Sequence, residues 1–417
     1  MSVVRPLMRI DVTATEFSNQ TRQVTLGKQQ EIRFQVHQTS PLKLRLLDGK
    51  VEIFGYELPQ NVWLTFPPLL KFSVFSWSGG TIEIVGDTET EPSDNTPMMS
   101  YRREHYSLSA KRQIVASSPS HYASSQGPRV IIVGSTDSCK STLAKMLLSW
   151  AAKDGWKPTF VDLNVGQSST TIPGTISATS IQKPMDPILG FPIDKALVHY
   201  FGHTTPNITC GRTCPRIRRR VWQFAKNAVS QDSGMVIDTM GWIDGPGYEL
   251  LLHAIRTFNA SVVIVLGQEE KLVNDLKNSF KFKKNLQILN LEKSSGVFYR
   301  NSQFRKTSRN LNIQLSSVMF KSIELVILES SNSTYSQQKR NKPLEITSVE
   351  IDKHLENKVL AISYAKQPNQ IISSIVAGFV CITDVDIGVE KITYISPSAA
   401  ELPSKILILG TLTWLVA

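Results

Sequence analysis

Cysteine and long apolar runs are both scarce in this chain. Its 417 residues include four cysteines, which are scattered along the sequence. This argues against a disulfide framework and favours a reducing compartment. Cys210 and Cys214 have no second Cys/His pair at ligand spacing, so a zinc site is not expected.

The sequence shows neither a secretory signal nor a membrane span. Residues 1–9 are short and mixed in character, and the apolar run Ile406–Ala417 has 12 residues. About 20 apolar residues are needed to cross a bilayer. We interpret the run as a closing strand of a C-terminal β domain, and we expect a soluble, intracellular protein with no membrane association.

Composition indicates a globular protein with a basic surface. Hydrophobic residues make up 41% of the chain and charged residues 19%, and a chain of this length suits two or three domains. The formal charge of +11 favours a polyanionic partner such as RNA, DNA or an acidic protein. Charge alone does not choose among these partners.

The stretch Gly134–Thr142 (GSTDSCKST) follows the apolar run Val130–Val133 and precedes the helical pattern Leu143–Trp150. It nearly fits GxxxxGK[ST], in which backbone N–H groups surround phosphates, the lysine reaches the β/γ-phosphates and the hydroxyl binds Mg²⁺. Cys139 stands where the second glycine belongs, and a side chain there opposes a positive φ and close phosphate approach. We predict a phosphate-binding loop, with a purely structural strand–helix turn as the alternative.

The flanking patterns predict a three-domain layout. Residues 1–98 contain short alternating runs such as Gln30–Val36, typical of a small β-sandwich, and the polar stretch Gly86–Asn95 indicates a connector. A helix around Tyr101–Val115 and a flexible linker fill residues 99–127.

Residues 128–313 alternate buried apolar runs, such as Thr159–Leu163 and Gly234–Asp238, with helical patterns. This alternation predicts an α/β, P-loop kinase-like domain with a parallel sheet, whose ligands bind at the carboxyl ends of the strands. Residues 314–417 are predicted to form a β-rich domain after a polar stretch.

Several segments in fixed order resemble the polyribonucleotide 5′-hydroxyl kinase family of mRNA 3′-end cleavage and polyadenylation and of tRNA splicing. They are the loop Gly134–Thr142, Phe160–Gln167 with its Asn-Val-Gly-Gln run, Ile172–Thr175, Tyr200–Pro206, Asp238–Trp242 and Gly245–Tyr248. Runs in the N-terminal domain resemble that family's β domain as well, so the resemblance covers nearly the whole chain.

The resemblance implies that ATP with Mg²⁺ is held by the loop and by two N-terminal residues. Glu31 and Lys71 occupy the positions expected near adenine, although each is by itself typical of a solvated strand. Ser141 and Asp238 are the expected metal-binding residues. The predicted phosphate-binding residues are Asp137, Ser138, Cys139, Lys140, Ser141 and Thr142.

The resemblance also implies an RNA side and a lid. A Thr-Thr-Pro clasp contains Thr204 and Thr205, and Trp242 occupies the position of an aromatic that stacks on a base; a core tryptophan is the alternative. The lid stretch contains arginines expected to stabilise charge on the transferred phosphoryl group, with a basic surface as the alternative. These arginines are Arg300, Arg305 and, with less support from position, Arg309.

Two basic runs remain, one from Arg212 to Arg220 and the other from Lys271 to Lys284. Each is a candidate for RNA backbone contact, although charge runs are commonly solvated faces. The first is the stronger candidate because it follows the clasp.

Two departures from the family pattern bear on catalysis. Cys139 is one; the other is Asn164, where active relatives place an aspartate, and an amide neither takes a proton nor offers a metal negative charge. Asp162 lies two residues earlier on the same strand side, roughly 6 to 7 Å away. Asp238 is the better-placed substitute, and we hypothesise that Asn164 and Asp238 exchange the amide and acid roles. Lys140, Arg300 and Arg305 complete the predicted catalytic set with them.

The resulting interpretation is an ATP-binding subunit of the pre-mRNA 3′-end machinery with doubtful transfer activity. It implies a nuclear protein that contacts a scaffold subunit of the cleavage factor, with tRNA splicing endonuclease subunits and RNA 5′ ends as further partners. The alternative is an active RNA 5′-hydroxyl kinase that prepares RNA ends for ligation. An unrelated P-loop ATPase or GTPase would leave the clasp unexplained.

Overall fold

The computed structural model of this chain contains two compact units, the first ending at Thr96 and the second beginning at Pro97. It describes residues 21–37, 39–93, 95–117, 126–191, 196–205, 232–296, 300–316, 321–326, 349, 351–367, 370–371, 374–389, 391–397, 402–404 and 406–414. The basic run at 212–220, Cys210 and Cys214 lie outside these residues. Within them, no helix is long and apolar enough to cross a membrane.

The first unit is a β-sandwich. One sheet has the order β1-β8-β3-β6 and the other the order β5-β4-β7-β2-β9. The strands are β1 (Thr21–Leu26), β2 (Gln30–Val36), β3 (Leu42–Gly49), β4 (Glu52–Ile53), β5 (Tyr56–Glu57), β6 (Leu64–Phe66), β7 (Lys71–Ser76), β8 (Gly80–Val85) and β9 (Thr88–Ser93).

Alternation explains this packing. Ile32, Phe34 and Val36 of β2 point inward and are at most 3% exposed, as the period of two predicts. Phe72 of β7 stacks on Phe34 at 5.1 Å between ring centroids and on Phe66 of β6 at 4.2 Å. The predicted β-sandwich is confirmed.

The prediction of a polar connector at 86–95 was wrong. Thr88–Ser93 forms β9, an edge strand paired antiparallel with β2 from Val36↔Thr88 to Glu31↔Ser93. β9 lies at the edge of its sheet and its side chains are partly or fully exposed, so its polar composition is typical of a connector as much as of a protected edge.

The second unit is built around a seven-stranded sheet of order β13-β12-β11-β14-β10-β15-β16. Its five strands β11, β14, β10, β15 and β16 are parallel, while β12 and β13 are antiparallel additions. The strands are β10 (Arg129–Val133), β11 (Thr159–Asp162), β12 (Thr175–Ser180), β13 (Leu197–Tyr200), β14 (Met235–Asp238), β15 (Val262–Leu266) and β16 (Gln287–Leu291).

Helices accompany this sheet, and its central strands are continuously apolar because they are covered on both faces. The carboxyl ends of β10, β11 and β14 meet at one edge, which places the loops that follow them together. The helices are α1 (Met98–Ala116), α2 (Lys140–Lys153), α3 (Pro246–Thr257), α4 (Glu270–Ser279) and α5 (Ser302–Ser316).

A five-stranded antiparallel sheet of order β17-β20-β19-β18-β21 completes the second unit. The run predicted to be a closing strand contains β21, which ends at Thr413 and pairs with β18. The strands are β17 (Lys321–Val326), β18 (Lys358–Ser363), β19 (Val376–Asp386), β20 (Lys391–Ser396) and β21 (Ile406–Thr413). The predicted fold class, an α/β P-loop domain flanked by a β-sandwich and a β-rich region, is confirmed.

Candidate functional site

A tight loop joins β10 to α2. Gly134 opens it at φ +150°, and a Cβ there would stand 2.5 Å from the carbonyl oxygen of Leu266 on β15. Only glycine fits such a close approach. The strand–loop–helix geometry predicted for this stretch is therefore present.

Cys139 adopts the conformation for which the missing glycine is normally needed. Its φ is +63° and its ψ +19°, in the left-handed region, and it immediately precedes α2. The cysteine thus keeps the backbone turn of the loop, with a strain of about 1 to 2 kcal/mol. The side chain therefore strains the turn without preventing it.

We expect the bulk at Cβ to decide how position 139 tolerates change. Cys139→Val should lower the free energy of unfolding by about 2 kcal/mol because a β-branched residue at positive φ is strongly disfavoured. Cys139→Gly should change it by less than about 1 kcal/mol, since released strain offsets the extra freedom of the unfolded chain. Urea denaturation measures both. Cys381→Val, at a position of β19 whose φ is not positive, serves as control; an equal loss in both valine variants would contradict the explanation from backbone strain.

Lys140 begins α2, and its side chain turns back over the loop. Its Nζ donates to the carbonyl oxygen of Ser135 at 2.6 Å and to Oγ of Ser138 at 3.2 Å. Burial lowers the pKa of Lys140, and the carboxylates of Asp238 and Asp137 oppose that shift. A buried cation therefore lies inside the loop, where a phosphate would be held.

Ser141 and Asp238 meet at the base of the loop. The Ser141 hydroxyl donates to Oδ2 of Asp238 at 2.6 Å, and Asp238 is fully buried at the end of β14. Among the described residues, its Oδ1 has no hydrogen-bond partner. Burial raises the pKa of Asp238, and the Ser141 hydroxyl and Lys140 oppose this.

This pair fits Mg²⁺. The ion prefers oxygen ligands, keeps several waters and is commonly bound through one or two protein oxygens together with substrate phosphates. A hydroxyl meets that requirement when it lies beside a buried carboxylate that keeps one oxygen unpaired within the described part of the chain.

Asp162 on β11 is paired with Asp238 on β14, but its carboxylate accepts hydrogen bonds from the loop that follows β11. It accepts the N–H of Asn164 at 3.0 Å, the N–H of Ser169 at 2.7 Å and the hydroxyl of Ser168 at 3.1 Å. Burial and the neighbouring Asp238 raise the pKa of Asp162 to about 7. With three donors already bound, Asp162 is a structural acid, and it is a poor substitute for a missing catalytic one.

Asn164 stabilises the turn that follows β11. Its side-chain Oδ1 accepts the N–H of Gln167 at 3.2 Å. The amide oxygen at the position of the expected acid is therefore engaged in local structure.

Two lid arginines reach the phosphate loop through Asp137. Arg305 of α5 donates to Oδ2 of Asp137 at 2.6 Å, and the backbone N–H of Arg300 donates to the same oxygen at 3.1 Å. The Arg300 guanidinium donates to Oε1 of Gln167 at 3.2 Å. The structure thus brings Arg300 and Arg305 together beside the loop. Arg309 follows Arg305 by about one turn on α5, and burial together with the charge of Arg305 lowers its pKa.

Two residues at this site were not predicted. Gln167 belongs to the Asn-Val-Gly-Gln run, which was noted as a motif without a role for its glutamine. Lys145 lies one helical turn after Ser141. Burial lowers its pKa, and the negative charge of Asp238 opposes that shift. The helical spacing of four residues from Ser141 was the signal that could have identified it.

Thr204 and Thr205 follow β13 and lie beside the same loops. A Cβ on Gly166 would stand 3.1 Å from the carbonyl oxygen of Thr204. Just before them, Gly202 accepts the N–H of Thr411 in β21 at 2.7 Å, and His203 Nδ1 lies 3.1 Å from the Thr411 hydroxyl. The closing strand of the C-terminal sheet therefore contacts the two residues that precede the predicted clasp, whose Pro206 lies outside the described residues.

Trp242 follows β14 and is half-buried. It packs against the core of the parallel sheet, and a Cβ on Gly247 would touch its ring at 2.5 Å. The neighbouring Gly241 accepts a hydrogen bond from Thr136 of the phosphate loop at 3.2 Å. Trp242 thus combines core packing with a position beside the loop.

The two residues predicted to lie near adenine belong to the first unit. Glu31 is buried; its Oε1 pairs with Arg33 at 2.7 Å and its Oε2 accepts the hydroxyl of Thr96 at 2.8 Å. Lys71 begins β7 opposite Gln35. Both therefore have defined places in the β-sandwich.

Comparison with known proteins gives the family. Three family models match, covering residues 25–115 (N-terminal beta-sandwich domain of polyadenylation factor), 134–315 (mRNA cleavage and polyadenylation factor CLP1 P-loop) and 308–415 (pre-mRNA cleavage complex II protein Clp1). Protein CLP1 homolog 5 of Arabidopsis thaliana is 62% identical over 95% of this chain and 99% of its own length. The chain belongs to the Clp1 family. A human Clp1 relative, polyribonucleotide 5′-hydroxyl-kinase Clp1, is 32% identical over 95% of this chain and 97% of its own.

Solved Clp1 structures share the fold. One describes an extended interface between Pcf11p and Clp1p and ATP loss in a point mutant; it has a TM-score of 0.83 at 23% identity and covers 95% of this chain and 99% of that one. A wild-type Clp1p–Pcf11p complex gives a TM-score of 0.81 at 22% identity, covering 96% and 100%.

Proposed function

We propose that this Clp1 family chain is an Mg²⁺–ATP-binding subunit of the pre-mRNA 3′-end cleavage and polyadenylation machinery with weak or no phosphoryl transfer. The observation that carries the nucleotide site is the contact of Ser141 with Asp238, whose second oxygen is buried and has no hydrogen-bond partner among the described residues. It lies at the base of a loop that retains its turn at Cys139.

The charges around the loop suit a triphosphate. Lys140 lies within the loop, and Arg300 and Arg305 are held beside it by Asp137. Phosphoryl transfer is catalysed mainly by positioning and by stabilisation of charge on the transferred group, and cations fixed in this way serve both binding and transfer. Glu31 and Lys71 are proposed to select adenine.

The expected weakness of phosphoryl transfer follows from the side chains at positions 162 and 164. A 5′-hydroxyl attacks faster when a carboxylate orients it or takes its proton. Asn164 offers an amide whose oxygen is engaged in a turn, and Asp162 already accepts three hydrogen bonds. Bound nucleotide still stabilises the fold, by about 2.7 kcal/mol at 100 times its Kd.

One observation favours the second candidate, an active RNA 5′-hydroxyl kinase. The unpaired oxygen and raised pKa of Asp238 suit a proton acceptor. In this function Thr204, Thr205 and Trp242 would hold the RNA 5′ end.

The proposed partner is a scaffold subunit of the cleavage factor. The support is that Clp1p, which shares this fold, has been solved in complex with Pcf11p. A role beside tRNA splicing endonuclease subunits and a nuclear location are further parts of the proposal, and they rest on the sequence resemblance alone.

The test measures Mg²⁺–ATP affinity by calorimetry and transfer of labelled γ-phosphate to a 5′-hydroxyl RNA, each with Lys140→Ala as control. Binding without transfer, lost in Lys140→Ala, is the expected result. The combined change Asn164→Asp with Cys139→Gly should then raise transfer. Absence of ATP binding would refute the proposal, and transfer abolished by Lys140→Ala would establish the kinase.

A further inference from the structure

An exposed phenylalanine lies among lysines on the side of the parallel sheet opposite the phosphate loop. Phe282 is 88% exposed in the segment 280–286, which joins α4 to β16. The Lys281 ammonium lies 4.9 Å from the centroid of its ring, and Lys284 is exposed in the same segment. A large aromatic side chain exposed to this extent gains little from burial, so the folded core does not explain it.

Cations from other segments surround this loop. Arg129 begins β10, and its carbonyl accepts the N–H of Ser261, whose own carbonyl accepts the N–H of Gln287 at the start of β16, each at 2.9 Å. Burial and the charge of Arg129 lower the pKa of Lys283. Lys111 of α1 donates to Oε1 of Gln287, the first residue of β16, at 2.6 Å. We call the surface formed by Lys111, Arg129, Lys281, Lys283 and Lys284, together with Phe282, the basic edge.

The acids of α4 lie mostly away from the basic edge. Glu269 precedes the helix and Glu270 begins it, whereas the basic edge follows its end, about 15 Å away along the axis. Asp275 lies nearer, about one turn before the helix ends. Glu104 of α1 interacts with Lys111, so the positive charge of the basic edge is concentrated on Lys281, Lys283 and Lys284.

Stabilisation of helix ends explains only part of this charge. Arg256 and Lys277 lie in the last turns of α3 and α4, where cations offset the helix dipole. Lys281, Lys283 and Lys284 follow the end of α4, and the dipole gives no reason for an exposed aromatic ring among them. A ligand that is both anionic and planar accounts for both features.

We propose that the basic edge binds single-stranded RNA, with backbone phosphates on its cations and a base stacked on Phe282. An acidic protein surface would satisfy the lysines but would not supply a planar face for the ring. Stacking on an aromatic side chain accepts any base and contributes about 1 to 3 kcal/mol per base.

This site is separate from the one in the proposed function, although both involve RNA. Arg129 and Val133 are the two ends of β10, roughly 13 Å apart at about 3.3 Å per residue, and the phosphate loop follows Val133. Binding at the basic edge therefore requires neither nucleotide nor a free 5′-hydroxyl, and it contacts the body of an RNA instead of its end.

The experiment measures the affinity of the full chain for a fluorescent oligouridylate by anisotropy at several salt concentrations. Phe282→Ala should weaken binding about 5- to 100-fold, and Phe282→Trp should restore it. Lys281→Gln with Lys284→Gln should reduce the slope of log K against log salt by about 1.4. Two matched controls change exposed positions of the C-terminal region: Tyr364→Ala, and Lys353→Gln with Lys366→Gln. Both should leave the affinity for oligouridylate unchanged.

Three further arms identify the ligand and separate this proposal from the previous one. The Lys140→Ala variant should bind oligouridylate as tightly as the unaltered chain does. A 5′-phosphorylated oligouridylate should bind the unaltered chain as tightly as the unmodified oligouridylate does. Both results should hold even if the chain proves to bind no ATP. Unchanged affinity in Phe282→Ala, or equal losses in the control variants, would overturn the proposal. Binding of polyglutamate with the same dependence on Phe282 would assign the basic edge to an acidic protein.

Discussion

Asp238→Asn is expected to lower Mg²⁺–ATP affinity by about 10- to 150-fold while leaving the nucleotide-free protein at least as stable as before. Hydrogen bonds and ion contacts of a charged group contribute about 1.5 to 3 kcal/mol, and the amide removes the charge that a cation requires. Because burial raises the pKa of Asp238, its ionised form is disfavoured in the folded protein, so its neutralisation does not destabilise the fold. Calorimetry with and without Mg²⁺, and thermal unfolding without nucleotide, measure the two effects.

Asp162→Asn is the matched control, since it removes a buried carboxylate from the paired position of the adjacent strand. The pKa of Asp162 is raised as well, but Asp162→Asn should still lower the free energy of unfolding by about 1 to 3 kcal/mol. The two carboxylate oxygens accept two backbone N–H groups and a hydroxyl, so the amide NH₂ would face a donor in place of an acceptor. ATP binding by Asp162→Asn should still depend on Mg²⁺. Unchanged Mg²⁺–ATP affinity in Asp238→Asn would remove Asp238 from the metal site and with it the hypothesis that it replaces the acid missing at Asn164.

Gly410→Ala is expected to destabilise the second unit by about 2 to 3 kcal/mol and to weaken binding of 5′-hydroxyl RNA with little effect on Mg²⁺–ATP. A Cβ at this position of β21 would overlap the backbone of Gly202 and stand 2.6 Å from the hydroxyl of Tyr200. Backbone atoms cannot turn aside as flexible side chains do, so the strand and the segment 202–205 must separate. Urea denaturation and anisotropy with labelled RNA measure the two effects.

The control for Gly410 is Gly378→Ala in β19 of the same sheet. A Cβ there would meet one methyl of Ile362 at 3.9 Å, which is ordinary contact. Its effect on unfolding should stay within about 0.5 kcal/mol. Equal RNA affinities of Gly410→Ala and the unaltered protein would show that β21 does not position Thr204 and Thr205.

Local signals in the sequence were sufficient to predict the elements that carry the site. The turn after β10 has a recognisable motif, and the strands of the parallel sheet are apolar runs. Both signals come from residues that are neighbours in the sequence. Edge strand β9 escaped prediction because an edge strand with exposed polar side chains has the same composition as a loop. The functional residues at the ends of the parallel strands were therefore predicted more completely than the boundary between strand β9 and the connector.

The arrangement around the loop depends on contacts between residues far apart in sequence. Arg305 meets Asp137 across 168 positions, and Arg300 meets Gln167 across 133. No periodicity records such pairs. The role of Asp162 was also beyond the sequence, because a carboxylate near a site is equally compatible with catalysis and with three structural hydrogen bonds.

The contact of β21 with the segment before Thr204 also bears on the order of folding. His203 and Thr411 are separated by 208 positions, so their contact closes a very long segment of chain. The phosphate loop and its strand are by comparison local, and local contacts form first because closing a long loop costs more entropy. During synthesis the phosphate loop therefore forms before the segment beside it is fixed, and the position of the residues next to Thr204 is set last.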